Sequence, residues 1–224
     1  MPKADADALA RGLSRGPLLR VVNFHLTPAW RREEYDRQFS LYAKYFSSVT
    51  EEDLDAFLGT GRWHKAKPGL IPAFYNGYRN NYDVALPLLE QHGLVGWFFV
   101  VTGFVGAADQ NSYAATHGIT TAADERGDGR IALSWEEVGT LSHAHVVASH
   151  TRAHTQAVAS DGHEDAALGS QEDFRREIGR PVRTIAWAGG AAYGENATAD
   201  QAVITAGFRF IVSNFRIQRL SIGS

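Results

Sequence analysis

Short apolar runs alternate with stretches of helical periodicity along most of this chain. The first run, Leu18-Leu19-Arg20-Val21-Val22-Asn23-Phe24, predicts a strand with His25 at its end. Tyr35, Phe39, Tyr42 and Phe46 then fall four, three and four apart, which is one face of a helix over 33–46. Thr50 predicts an N-cap, followed by Glu51, Glu52 and Asp53 where the helix dipole favours acids. Leu70 to Phe74 predicts a second strand running into Tyr75-Asn76-Gly77, and a helix follows over 82–91, stopped at His92-Gly93. Leu94 to Val101 is apolar or glycine throughout, as a parallel strand covered on both faces is. Residues 106–130 show little periodicity and predict a long loop of the kind that shapes substrate access. Ser134-Trp135-Glu136-Glu137 has capping-box spacing. Val146-Val147-Ala148 then reads as a buried strand, 164–178 as a charged helix and Arg183 to Trp187 as a strand before Ala188-Gly189-Gly190. A helix over 197–206 and a last strand over 208–212 complete the pattern.

This alternation predicts an α/β fold of βα units with parallel strands, and their number suits a barrel better than a small open sheet. In such a barrel the strand ends converge on one mouth. His25, Tyr75, Asn76, His150, His154, Gly189 and Gly190 all stand at predicted strand ends. The segment Ser149-His150-Thr151-Arg152-Ala153-His154 is the most informative. Histidines four apart on a turn of helix point from one face, and their ring nitrogens can meet on one divalent metal. The plainer alternative is a surface pair in a chain with nine histidines. Asn76 can add its amide oxygen, and a metal with open positions polarises a carbonyl and acidifies a bound water.

Composition narrows the partners. A 224-residue chain with 44% hydrophobic and 21% charged residues is ordinary for a globular protein. We expect a flexible lead over 1–17 and a single domain over 18–224. A net charge of −3 gives no electrostatic argument for nucleic acid, and no run is long enough to span a membrane. The charged, alanine-rich N-terminus lacks the apolar core of a secretory signal, and there are no cysteines. Cytoplasmic location is the resulting expectation, with the oligomeric state left open. Any metal site must use His, Asp, Glu, Asn or water.

Ordered motifs sharpen this picture. Val21-Val22-Asn23-Phe24-His25, Ala73-Phe74-Tyr75-Asn76-Gly77-Tyr78, Ala85-Leu86-Pro87-Leu88-Leu89, His92-Gly93, Trp97-Phe98-Phe99-Val100, His145, Ser149-His150-Thr151 with His154, and Gly179-Arg180-Pro181-Val182-Arg183 occur in that order. Over about residues 18–215 the chain resembles the polysaccharide deacetylases, the NodB homology domain or fourth family of carbohydrate esterases. The resemblance implies a distorted (β/α) barrel of that type and a metal-dependent hydrolase of a carbon–nitrogen, non-peptide bond in carbohydrate metabolism. In such enzymes an aspartate and two histidines hold a divalent metal, often zinc, and a neighbouring aspartate is the general base. His150 and His154 carry over as metal ligands. Asn76 stands in the place of the metal aspartate, and Tyr75 in that of the base. An amide oxygen suits calcium better than zinc, so metal binding is expected to weaken. A phenol with pKa near 10 is a poor base at pH 7.

Trp187-Ala188-Gly189-Gly190 stands where the family usually reads Tyr-Pro-Tyr-Gly. The resemblance makes Gly189 and Gly190 candidate N–H donors to an oxyanion and Trp187 a pocket wall. No later motif of the family is matched beyond residue 215. The site expectation is therefore Tyr75, Asn76 and His25 as catalytic, Trp187, Gly189 and Gly190 as substrate-binding, and Asn76, His150 and His154 as metal-binding. His143, His145 and Trp97 are expected to be structural, and His117 and Asp124 to lie in a solvated loop. The resemblance makes hydrolysis of an N-acyl group on a small soluble substrate the leading expectation, with a small-molecule or saccharide partner. One rival keeps the fold but uses Tyr75 for proton transfer in an isomerisation or cyclisation. Another is a catalytically inactive binding domain.

Overall fold

In the computed structural model, which describes residues 19–121, 123–159 and 161–220, the apolar runs join in one eight-stranded sheet. The predicted lead over 1–17 lies outside the described residues. The strands are β1 (Leu19–Phe24), β2 (Ser47–Ser48), β3 (Gly69–Asn76), β4 (Trp97–Val100), β5 (Val146–Ser149), β6 (Thr184–Ile185), β7 (Phe210–Val212) and β8 (Ile217–Arg219). Their order is β1-β3-β4-β5-β6-β7-β8, with β2 paired to the start of β3. Every pairing is parallel except β7 with β8, which is antiparallel. The expectation of parallel strands therefore holds up to β7. The three-residue β8, which no apolar run announces, turns back along the edge.

Side-chain alternation decides what this sheet encloses. Ile71, Ala73, Tyr75, Trp97, Phe99, Val146, Ala148, Ala186, Phe210 and Val212 form one inner cluster. Residues from β3 and β7 meet there although three strands separate them, so the sheet is curled around its own filling. The alternate positions Phe24, Phe74, Phe98, Val100, Val147, Ile185 and Ile211 pack in the layer beneath the helices. Among the described residues β1 makes no ladder with β7 or β8, which leaves a half-barrel.

The helices are α1 (Arg32–Tyr45), α2 (Glu51–Thr60), α3 (Leu86–Gln91), α4 (Thr102–Val105), α5 (Gln110–Thr116), α6 (Trp135–Leu141), α7 (Ser170–Ile178) and α8 (Ala197–Thr205). Short π-helical turns, Asn81–Ala85 and Asp165–Gly169, lead into α3 and α7. Thr50 with Asp53 and Ser134 with Glu137 form the reciprocal capping boxes that start α2 and α6. The stretch predicted as a long loop over 106–130 holds α5, whose Asp109 cap accepts from Ser112 N. Seven residues span two turns, too few for periodicity to stand out. Among the described residues no helix is long and apolar enough to cross a membrane.

Register sets where the chemistry-bearing residues meet. Asn76 pairs with Val100, Val100 with Ser149, Ser149 with Ile185 and Ile185 with Ile211. His150, Ala186 and Val212 follow those partners directly, and His25 follows Phe24, the partner of Phe74. One edge of the curled sheet thus collects residues from β1, β3, β5, β6 and β7.

Candidate active site

A cavity of about 270 Å³ opens at that edge. It is lined by Asn23 of β1 and His25 just after it, Tyr75 of β3, His150 and His154 after β5, Ala186, Trp187, Gly189 and Gly190 after β6, Val212 at the end of β7, and Ser213 and Asn214 beyond it. Of the residues predicted to be functional, His25, Tyr75, His150, His154, Trp187, Gly189 and Gly190 share this space. Asn76 does not line it. It is the last residue of β3, 4% exposed.

The two histidines converge, but not on a helix. His150 directly follows β5 and donates its N–H to Val100 O (2.8 Å). Thr151 and His154 then take left-handed φ values of 69° and 54°, and no helix follows. The expected helical turn is corrected to a compact irregular turn, because these two residues leave the right-handed region a helix requires. Hydrogen bonds offset that strain. Thr151 N donates to Ser149 Oγ, and Thr155 N donates to Thr151 Oγ1. The N-terminus of α4 closes on the turn from the other side, with Thr102 N donating to Thr151 O and Gly103 N to Arg152 O. Gly103 is required there, since a Cβ would sit 2.7 Å from Arg152 O.

Arg152, between the two histidines, is the clamp. Its Nε and Nη2 bond both oxygens of Asp173 (2.9 and 3.0 Å), and Nη2 also donates to Gly169 O. Asp173 in turn accepts from Thr102 Oγ1 at 2.7 Å. Its burial alone would raise the carboxyl pKa, but the hydrogen bonds from Arg152 and Thr102 outweigh that and hold it below its usual range. Sequence reading missed this pair. The only signal was that Arg152 lies inside the histidine segment.

Imidazole chemistry within the turn is well defined. His150 Nδ1 faces Ala186 O at 2.8 Å, and His154 Nδ1 faces His117 O at 2.9 Å. A carbonyl only accepts, so each Nδ1 carries the hydrogen and each Nε2 keeps its lone pair. Neither Nε2 hydrogen-bonds to the described residues, and the rings lie 5.2 Å apart at 67°. Burial, and then repulsion from His154, push the His150 pKa down to about 3, and burial also lowers His154. Both rings are therefore neutral at pH 7. A neutral imidazole with Nδ1–H on a carbonyl and Nε2 bare is the form in which histidine ligates a metal.

The other residues sort by geometry. Tyr75 is sandwiched between Phe99 (4.7 Å, 10°) and His25 (5.6 Å, 26°), with His150 against its edge at 5.1 Å. Burial pushes its phenol well above the ordinary tyrosine value, so it is a proton-bearing group and not a base at pH 7. His25 is exposed at the mouth, and partial burial followed by repulsion from His154 lowers its pKa. Trp187 is 1% exposed and meets His163 edge-on at 5.6 Å, so it belongs to the wall and core.

Gly190 departs from expectation. Its N–H donates to Trp187 O (3.0 Å) in a tight turn and is not available to an oxyanion. The Gly189 N–H makes no hydrogen bond among the described residues. Asn214, which no motif marked, closes the pocket by donating from Nδ2 to Gly189 O and from N to Gly190 O. His117 and Asp124 act locally. The His117 ring stacks on Tyr113 at 4.0 Å, and Asp124 accepts from the backbone of Arg126, Gly127 and Gly129. His145 accepts from Gly96 N, and Trp97 donates to Val49 O.

Among the described residues no three His, Asp or Glu side chains gather around a common point. The Oδ1 atom of Asn76 is nevertheless buried without a hydrogen-bond partner. Two bare imidazole nitrogens and one orphaned amide oxygen are a chemically suitable donor set for a divalent cation, though one without negative charge.

A family model described as polysaccharide deacetylase matches residues 65–211. The chain is similar in structure to IcaB from Ammonifex degensii, with 21% identity, 88% of this chain and 83% of that chain covered and a TM-score of 0.66. It is similar to the Streptococcus pyogenes deacetylase PplD in complex with acetate (15% identity, 90% and 84% covered, TM-score 0.64). The de-N-acetylase from Aggregatibacter actinomycetemcomitans gives 16% identity, 92% and 91% covered and a TM-score of 0.66. At these identities the likeness establishes the half-barrel fold. Comparison with curated proteins gave no match.

Proposed function

The chain belongs to the polysaccharide deacetylase family of carbon–nitrogen hydrolases, and on that premise we propose that its pocket hydrolyses the N-acyl group of a saccharide with a divalent metal held by His150, His154 and Asn76. The observation that carries this reading is the matched histidine pair, each with Nδ1 tied to a backbone carbonyl and Nε2 left bare. When bound, such an ion polarises an acyl carbonyl and acidifies water.

The remaining roles fall to this chain's own side chains. Hydrolysis takes one proton from water and delivers one to the leaving amine nitrogen. His25, at the mouth with its pKa lowered, is neutral at pH 7 and takes the first proton, then returns it to the amine. Tyr75 stays protonated and shields the inner side of the pocket from water. The Gly189 N–H faces developing negative charge on the acyl oxygen. Asn23, Ser213 and Asn214 offer the amide and hydroxyl groups that pair with sugar hydroxyls. The rival in which Tyr75 moves a proton is disfavoured, because burial takes its phenol further from neutrality.

The test joins metal content to turnover. Purified protein supplied with zinc is expected to retain about one ion per chain by elemental analysis. It is also expected to release acetate from a β-linked N-acetylglucosamine oligomer. His150→Ala should lose both. A parent that retains no metal, or a His150→Ala variant that keeps full acetate release, overturns the proposal.

A further inference from the structure

The orphaned oxygen of Asn76 has a cause at the other end of its amide. Asn76 Nδ2 donates to Tyr78 Oη at 3.1 Å, and Tyr78 Oη donates to Thr120 O at 2.6 Å. A phenol has one proton to give. With that proton on the Thr120 carbonyl, Tyr78 offers Asn76 only lone pairs. The amide must then turn its NH₂ towards Tyr78 and its oxygen away, which leaves Oδ1 buried and unpartnered. A flipped amide would set oxygen against oxygen at Tyr78 and present N–H groups where Oδ1 now lies.

The surroundings make this arrangement firm. Tyr78 is fully buried, with its ring edge-on to Phe104 at 6.0 Å. Asn76 itself has φ 74°, a left-handed conformation uncommon outside glycine. Its carbonyl accepts from Val101 N, and the carbonyl of Gly77 accepts from Leu133 N. Backbone and side chain are therefore both constrained, and one amide oxygen in a buried place is left with both lone pairs free.

We propose that Tyr78 is a positioning residue which, through the relay from Asn76 Nδ2 to Thr120 O, holds the Asn76 amide with its oxygen presented as the third, uncharged ligand of a divalent cation beside His150 and His154. This inference rests on the functional reading above and deepens it. The asparagine is then built into the site. The neighbouring tyrosine removes the ambiguity that an amide has and a carboxylate, with two equivalent oxygens, lacks.

That asymmetry supplies the test. Zn²⁺ alone is titrated calorimetrically into the parent, Tyr78→Phe, Asn76→Asp and the double variant. Loss of an outer partner of a metal ligand typically costs 10–100-fold in affinity. Tyr78→Phe is expected to weaken Zn²⁺ by about that factor in the parent. In the Asn76→Asp background it should weaken Zn²⁺ by no more than about threefold, since either carboxylate oxygen serves. An equal loss in both backgrounds, or none in the parent, overturns the inference alone. A parent that does not bind Zn²⁺ overturns the functional reading and this inference together. Should Tyr78→Phe not fold, the side-chain NH₂ signals of Asn76, assigned by their absence in Asn76→Asp, decide the matter in the parent. Zn²⁺ must shift them while their exchange with solvent stays slow, and signals that do not move overturn the inference.

Discussion

Replacing Asp173 by asparagine isolates what holds the histidine turn in place. The carboxylate is buried and accepts from Thr102 Oγ1, Arg152 Nε, Arg152 Nη2 and Arg176 Nη2 at 2.7 to 3.0 Å. Removing one member of a buried ion pair costs about 3–5 kcal/mol. Here the figure is reduced, because the Arg152 side chain is 28% exposed and keeps Asp165 and Gly169 O as partners. About 2–3 kcal/mol is the working value, or a fall in Tm of about 4–12 °C for a chain of this size. Arg176→Ala is the control. It removes an exposed partner of the same carboxylate and should cost no more than about 0.5 kcal/mol.

The pH dependence has a definite sign. A carboxyl whose folded pKa lies below its unfolded value of about 3.9 stabilises the fold above that value, and the contribution is lost as pH falls through the folded pKa. The stability gap between parent and Asp173→Asn should therefore be full at pH 7 and close below about pH 4. Thermal and urea denaturation followed by circular dichroism measure both quantities. An Asp173→Asn variant within about 0.5 kcal/mol of the parent at pH 7 would refute the clamp. A gap that persists unchanged well below pH 4 would refute it equally.

Two further outcomes are expected at the pocket. Gly190 has φ 74°, and a Cβ there would lie 2.3 Å from Asn214, so Gly190→Ala costs about 1–2 kcal/mol in backbone strain and displaces Asn214. Its KM for an N-acetylglucosamine oligomer should rise more than its kcat falls, and an unchanged KM would count against a substrate role for Asn214. His25 has a lowered pKa, so its neutral form is populated from below pH 6.5 upwards and kcat/KM should climb along an acid limb below that pH. His25→Gln should flatten the limb and reduce kcat by about 10²–10⁴-fold, and a limb that survives the substitution rules out proton transfer at this residue.

Local rules made much of this molecule legible. Alternation placed Ile71, Ala73 and Tyr75 on one face of β3 and Phe74 on the other, and the apolar run from Trp97 to Val100 is the doubly covered strand it resembles. The capping boxes at Thr50 and Ser134 stand where their spacing puts them, because a cap joins residues only three apart. The order of motifs identified the family, and the register of five strands does bring His25, Tyr75, His150, His154 and Gly189 to one cavity. What distance along the chain conceals is a different matter. Asp173 grips Arg152 from 21 residues away, and Asn214 bonds Gly189 from 25 away. The histidine pair converges through two left-handed residues that no periodicity can announce. The Gly190 N–H turned out to be committed to Trp187 O. Sequence alone determined which residue types reach the mouth, since strand length and alternation are local properties. Tertiary structure decided which lone pairs and protons are free there, because a hydrogen bond to Ala186 O, His117 O or Tyr78 exists only once distant segments have packed together.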